Sequence, residues 1–213
     1  MAQQISLKAA ERKAFRTSYD DGLWDILLGC IFLMWAIAPY LSTSLGDFWS
    51  SAVFLPFWAL AYLTIWLIRK YVVTPRIGRV KFGRARIIKL AKFTAVMLVA
   101  NIVAFILGLI AAMNFERVPG QTTSIIFGMI LLIGLSIAAY FLDFSRLYIY
   151  GLLVGLSPLV GEWLWTHGYA THHGFPITFG TLAGIMILVG LAIFVRLLHD
   201  NPVPTEGLPS REA

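Results

Sequence analysis

The stretch 71–92 reads YVVTPRIGRVKFGRARIIKLAK, with seven basic residues and no acidic one in a chain whose charged fraction is only 13%. Whether it is a nucleic-acid patch on a soluble domain or a loop between membrane spans decides the fold, and what flanks it gives the answer. Hydrophobic residues make up 59% of the 213 and mean hydropathy is +0.78, whereas a soluble domain is about 45–50% apolar. The excess lies in long runs. A helix needs about 20 mostly apolar residues to cross about 30 Å of hydrocarbon, and six runs reach that length, at 23–41, 48–68, 93–113, 123–142, 147–165 and 175–198.

The sequence therefore predicts an all-α, polytopic integral membrane protein. Residues 1–22 form a basic leader, 23–198 a single six-helix membrane domain with a basic loop at 69–92, and 199–213 a tail. A polar leader precedes a first run long enough to span, so no cleavable signal peptide is expected. Pro39, Pro56 and Pro158 fall within spans, where neighbouring helices and side chains can satisfy the freed carbonyls. Cys30, alone in the chain, excludes an intrachain disulfide and reads as a small hydrophobe.

The basic residues sort by connection. Lys8, Arg12, Lys13 and Arg16 lie in the leader; Arg69, Lys70, Arg76, Arg79, Lys81, Arg84, Arg86, Lys89 and Lys92 lie between spans 2 and 3; Arg146 lies between spans 4 and 5; Arg196 and Arg211 follow span 6. Six spans put all of these on one side and only Arg117 on the other. The positive-inside bias then places both termini and the 69–92 loop in the cytoplasm, and the expected location is a prokaryotic plasma membrane. Trp24, Trp49, Trp66, Tyr148, Trp163 and Trp165, near span ends, fit interfacial belts.

Small residues predict helix contacts. Gly151 and Gly155 in span 5, and Gly180 and Gly184 in span 6, form small-xxx-small patterns at different depths. Counting 1.5 Å per residue puts Gly190 level with Gly151 and Gly155, and Gly161 level with Gly180 and Gly184, which predicts a tight hairpin of spans 5 and 6. Dimerisation through the same motifs is the competing reading. No internal repeat emerges.

Polar residues inside spans are candidate sites. Asp20 and Asp21 sit where carboxylates cap a helix start. Asp25, one turn deeper, is expected to pair with arginines of the 69–92 loop. Asn101, near the middle of span 3, predicts an interhelical hydrogen bond. Glu162, with His167, His172 and His173 in the connection after it, offers a weak metal or haem site, since His-x4-His-His is not a ligand spacing that zinc or copper sites favour. No nucleotide loop, nucleophile elbow or zinc-protease motif occurs. Asp21-Gly22 matches only the first two positions of the CDP-alcohol phosphotransferase signature. No catalytic residue and no cofactor are assigned.

Within the basic loop, Pro75, Gly78 and Gly83 argue against a continuous helix through 75–83, while Arg84 onward can run helically into span 3. Arg76, Arg79, Lys81, Arg84 and Arg86 are the candidates for binding anionic headgroups, each basic residue contributing about 1 kcal/mol at an anionic leaflet. The pair DGLWD at 21–25 and PRIGRVKF at 75–82 resembles a group of small prokaryotic multi-span membrane proteins in which a D-G-L-x-[DE] opening and a P-R-x-G-x-V-x-F loop occur together. The resemblance covers about the first half of the chain, implies architecture and no activity, and departs at Arg79, where an aromatic often stands. It implies that Asp25 and the 75–82 loop form one cytoplasmic-side unit.

Three functions compete. The expected one is a non-enzymatic membrane protein, an accessory, lipid-binding or small-solute transport component, whose basic loop contacts membrane lipids, a partner membrane protein or a second copy, and no nucleic acid. The second is an intramembrane enzyme on a lipid or isoprenoid phosphate using Asp25 and the loop arginines. The third is an outward-facing metal or haem site at the histidines.

Overall fold

The computed structural model describes residues 19–77, 84–113 and 119–202. Among the described residues the chain is helical with no strand. The elements are α1 (Leu23–Ala52), α2 (Phe54–Ile68), a π-helical turn (Arg69–Val73), α3 (Thr74–Ile77), α4 (Arg84–Met113), α5 (Gly120–Leu142), α6 (Arg146–Thr166), a 3-10 turn (His172–Gly174) and α7 (Phe175–Asp200). Six segments are long and apolar enough to cross a membrane, and they coincide with the six apolar runs. Span 1 ends where Gly46, at φ 77° and ψ 163°, breaks the helical path inside α1. Only glycine adopts that backbone without strain.

The first difference from the sequence reading lies at 69–77, where helical structure continues through Pro75. A proline inside a helix removes one N–H and crowds the preceding turn. Here the preceding turn widens to π geometry, with the Thr74 amide bonded to the Arg69 carbonyl. The Thr74 hydroxyl reaches the same carbonyl at 2.8 Å, and Arg76 Nη1 reaches the Val72 carbonyl at 3.1 Å. Gly78 and Gly83 lie outside the described residues. Pro56 is the third residue of α2, a first-turn position where the missing N–H has no intrahelical partner to lose.

The core is built by α1, α5, α6 and α7. Phe32 and Ala36 of α1 meet Ala138 and Ala139 of α5, Tyr150 and Val154 of α6, and Phe179, Ala183 and Met186 of α7. The extensive interfaces are α1 against α7 and α5 against α6. No residue of α2 is buried, and none of the membrane-crossing window of α4 is. These two helices flank the four-helix core, α2 against α1 and α4 against α5.

The glycines show why the helices pair this way, and they overturn the hairpin of spans 5 and 6. Gly151 and Gly155 of α6 face Leu135, Leu132 and Gly128 of α5. A methyl on Gly190 of α7 would stand 2.7 Å from the Gly22 carbonyl oxygen and 2.9 Å from the Ile26 amide, so α7 crosses the start of α1 backbone to backbone. Gly180 also looks toward α1, 3.6 Å from Ala36 Cβ, while Gly184 has nothing within 4 Å. Only Gly161 meets the segment that follows α6, through the backbone of His173 and Gly174. Equal depth gave the right level and the wrong neighbour, because depth does not encode the order of helices around a bundle.

Candidate functional site

One end of the bundle carries a layer of ion pairs. Asp21 ends the turn before α1, where Oδ1 accepts the Leu23 amide at 3.1 Å. This is how a carboxylate caps a helix start. Its Oδ2 accepts Arg69 Nε at 3.1 Å and is also bonded by Arg69 Nη2. Arg69 lies over the Trp24 ring at 5.4 Å. Asp143, in left-handed backbone at the end of α5, receives Arg86 Nη1 at 2.8 Å and Lys89 Nζ at 3.1 Å. The start of α4 is thereby tied to the turn between α5 and α6.

Asp25 lies at the centre of this layer with no exposure. Tyr150 donates its hydroxyl to Oδ1 at 2.6 Å, and Arg146 Nη2 donates to Oδ2 at 3.1 Å. Arg146 and Tyr150 are four residues apart on α6 and so share one face. Arg146 also reaches the Tyr19 carbonyl at 3.2 Å, Asp20 at 3.4 Å and the face of Phe144 at 5.0 Å. The partner expected from the 69–92 loop is thus corrected: Asp25 pairs with the connection between spans 4 and 5, while Asp21 takes the arginine at the end of span 2. The cause is packing, since α1 lies against α6 and α7 and the loop reaches only its first turn.

Of the candidate headgroup-binding residues, Arg86 is paired inside the layer and Arg76 turns onto its own helix. Arg79 and Lys81 lie outside the described residues, as does the side chain of Arg84. Lys70 is exposed, over the rings of Trp66 and Tyr71 at 5.0 and 5.1 Å. Lys92 is exposed and has no acidic partner among the described residues. Asn101 makes no interhelical bond; its Nδ2 turns back to the Met97 carbonyl at 2.7 Å, beside a groove between α4 and α5.

The other end carries the histidines. Glu162 is buried, with one oxygen against Gly120 at the first residue of α5 and Oε2 bonded to His173 Nδ1 at 2.8 Å. Free amides and the dipole at that helix start favour a carboxylate. His172 and His173 both adopt left-handed backbone, φ 52° and 53°, followed by Gly174 at φ 68°. Such conformations cost about 1–3 kcal/mol each in non-glycine residues. Gly174 presses on Gly161 so closely that neither admits a side chain. His167 caps α6, its Nδ1 at 2.8 Å from the Trp163 carbonyl, and His172 lies edge-on to Tyr40 at 5.3 Å. Among the described residues no three His, Cys, Asp or Glu side chains converge to hold a metal. The four-residue ligand set is therefore corrected to one Glu162–His173 pair.

Sequence reasoning missed Arg146 and Tyr150 as partners of Asp25, although their spacing on one helix face was visible. It also missed Asp143, whose role depends on a turn geometry no local pattern announces. The chain matches no family model, no curated protein and no solved structure.

Proposed function

We propose that this is a non-enzymatic integral membrane protein whose basic end rests on the anionic headgroups of the cytoplasmic leaflet, both termini on that side. The observation that carries the reading is how completely the acids at that end are consumed. Asp20, Asp21, Asp25, Asp143 and Asp200 each have a cation within 4.0 Å. Lys70 and Lys92 remain outward without an acidic partner among the described residues, and the sequence adds Arg79, Lys81 and Arg84 beside them. Surplus positive charge at one end of a bundle fits the positive-inside bias and an anionic surface. The resemblance to small prokaryotic multi-span proteins belongs to the same proposal.

The enzyme reading loses its motive at Asp25. A general acid or metal ligand needs access to substrate, and Asp25 is enclosed with both oxygens bonded. The test is lipid retention. Purified in mild detergent, the wild type is expected to retain phosphatidylglycerol over phosphatidylcholine by mass spectrometry, and the charge reversal Arg76→Glu, Arg79→Glu, Arg84→Glu to lose that preference while remaining monodisperse. Equal retention by both proteins would overturn the proposal.

A further inference from the structure

A pocket of about 460 Å³ opens at the histidine end, between α1, the start of α5 and the turn before α7. Small-molecule sites typically span about 300–1,000 Å³, with apolar walls and a few placed polar groups. The walls here are aromatic. Trp35 stacks on Phe127 with centroids 5.7 Å apart, and Phe127 on Phe175 at 6.3 Å, so three rings from three helices line one continuous surface. Trp35 and Phe175 are braced from behind by Phe179, edge-on at 5.5 and 5.3 Å. This surface exists without a ligand and suits a flat ring, which stacks or packs edge-on against such walls.

The polar groups are equally fixed. His172 and His173 line the pocket from their left-handed turn. The Glu162 carboxylate accepts the Nδ1–H of His173, which leaves Nε2 for a ligand. That nitrogen accepts a hydrogen bond when the ring is neutral and donates one when it is protonated. A hydroxyl answers in either state, whereas an ether or an ammonium answers in only one. Ser42, also on the wall, donates its hydroxyl to the Pro39 carbonyl at 2.9 Å and keeps its lone pairs as acceptors.

We propose that this pocket binds a small planar ring compound carrying a hydroxyl, of the phenol or quinol class, with the ring on Trp35, Phe127 and Phe175 and the hydroxyl on His173 Nε2. The site lies at the opposite end from the basic loop, so it stands or falls independently of the lipid contact.

The test is calorimetric titration of the full chain in phosphatidylcholine nanodiscs, with empty nanodiscs subtracted, using 2-naphthol and its hydroxyl-free counterpart 2-methylnaphthalene. The expected result is saturable 2-naphthol binding at one site per chain, with 2-methylnaphthalene about tenfold weaker, the loss expected for one hydrogen bond. His173→Phe brings the two compounds level. Ala38→Trp, which fills the pocket from α1 without touching the His173–Glu162 pair, abolishes saturable binding of both. No saturable heat above empty nanodiscs, equal affinity for the two compounds, or undiminished binding by the Ala38→Trp protein would each overturn the proposal.

Discussion

Replacing Arg146 by Gln strips the charge partner from Asp25 while leaving an amide of similar reach. Asp25 has no exposure, and its remaining bond is the one Tyr150 donates at 2.6 Å. Breaking a buried ion pair by removing one partner costs about 3–5 kcal/mol, because the other charge is stranded. Arg146 is 26% exposed, so some solvent reaches the gap; the expected cost is near the lower end, about 3 kcal/mol or more than a hundredfold in the folding equilibrium. The reverse change is milder. In Asp25→Asn the arginine keeps Asp20 at 3.4 Å, the Tyr19 carbonyl at 3.2 Å and the Phe144 face, so the loss is about 1–2 kcal/mol, one charged hydrogen bond. With the carboxylate gone, adding Arg146→Gln costs only about 1 kcal/mol more. The double variant is therefore predicted to be no less stable than Arg146→Gln alone, with a coupling of about 2 kcal/mol. Unfolding of the purified protein by increasing SDS in mixed micelles, followed by tryptophan fluorescence, measures all four corners. Additive single effects, or a cost for Asp25→Asn exceeding that for Arg146→Gln, would refute the enclosed pair.

Other perturbations follow the same geometry. Gly190→Leu would drive a side chain into the Gly22 carbonyl and the Ile26 amide, and should cost about 3 kcal/mol or more by separating α1 from α7; Gly184→Ala, with nothing within 4 Å, should stay within about 0.5 kcal/mol in the same unfolding assay. Asp21→Ala loses both the cap on Leu23 and the Arg69 pair, so about 2 kcal/mol is expected from thermal unfolding in detergent, and Asp21→Asn, which retains a capping oxygen, should recover part of it. Burial pushes the Tyr19 phenol above its ordinary value of 10.0, with Arg69 opposing. A folded-state value above the unfolded one contributes stability that is complete below pH 10 and lost as pH rises through the folded value. Tyr19→Phe should remove that alkaline loss, read as the difference in unfolding midpoint between pH 9 and pH 11.

The six apolar runs carried the architecture because crossing length and hydropathy are local properties. Run boundaries held within a few residues at α5 and α6, whereas span 1 runs on to Gly46 because no proline or polar cluster after Leu41 breaks it. Pro75 misled for a physical reason: the disruption was absorbed one turn earlier, at Arg69–Val73, where the backbone widened instead of ending. Partner choice was less legible. Asp25 could be placed at the charged end from sequence, but which of the cations there it would meet depends on α6 lying beside α1. Lateral order also governs Gly190, whose true neighbour Gly22 is more than 160 residues away in sequence. The aromatic pocket was invisible because Trp35, Phe127 and Phe175 come from three helices, and each alone reads as lipid-facing or core.

Orientation of the basic end toward the cytoplasm underlies the proposed contact with anionic headgroups, and Cys30, the only cysteine, makes it simple to test. In a Cys30→Ser background, single cysteines at Lys92 and Tyr169, both exposed, are probed with a membrane-impermeant maleimide on intact cells and after permeabilisation. The account predicts that position 169 labels in intact cells and position 92 only after permeabilisation. Labelling of position 92 in intact cells with protection of 169 would contradict it.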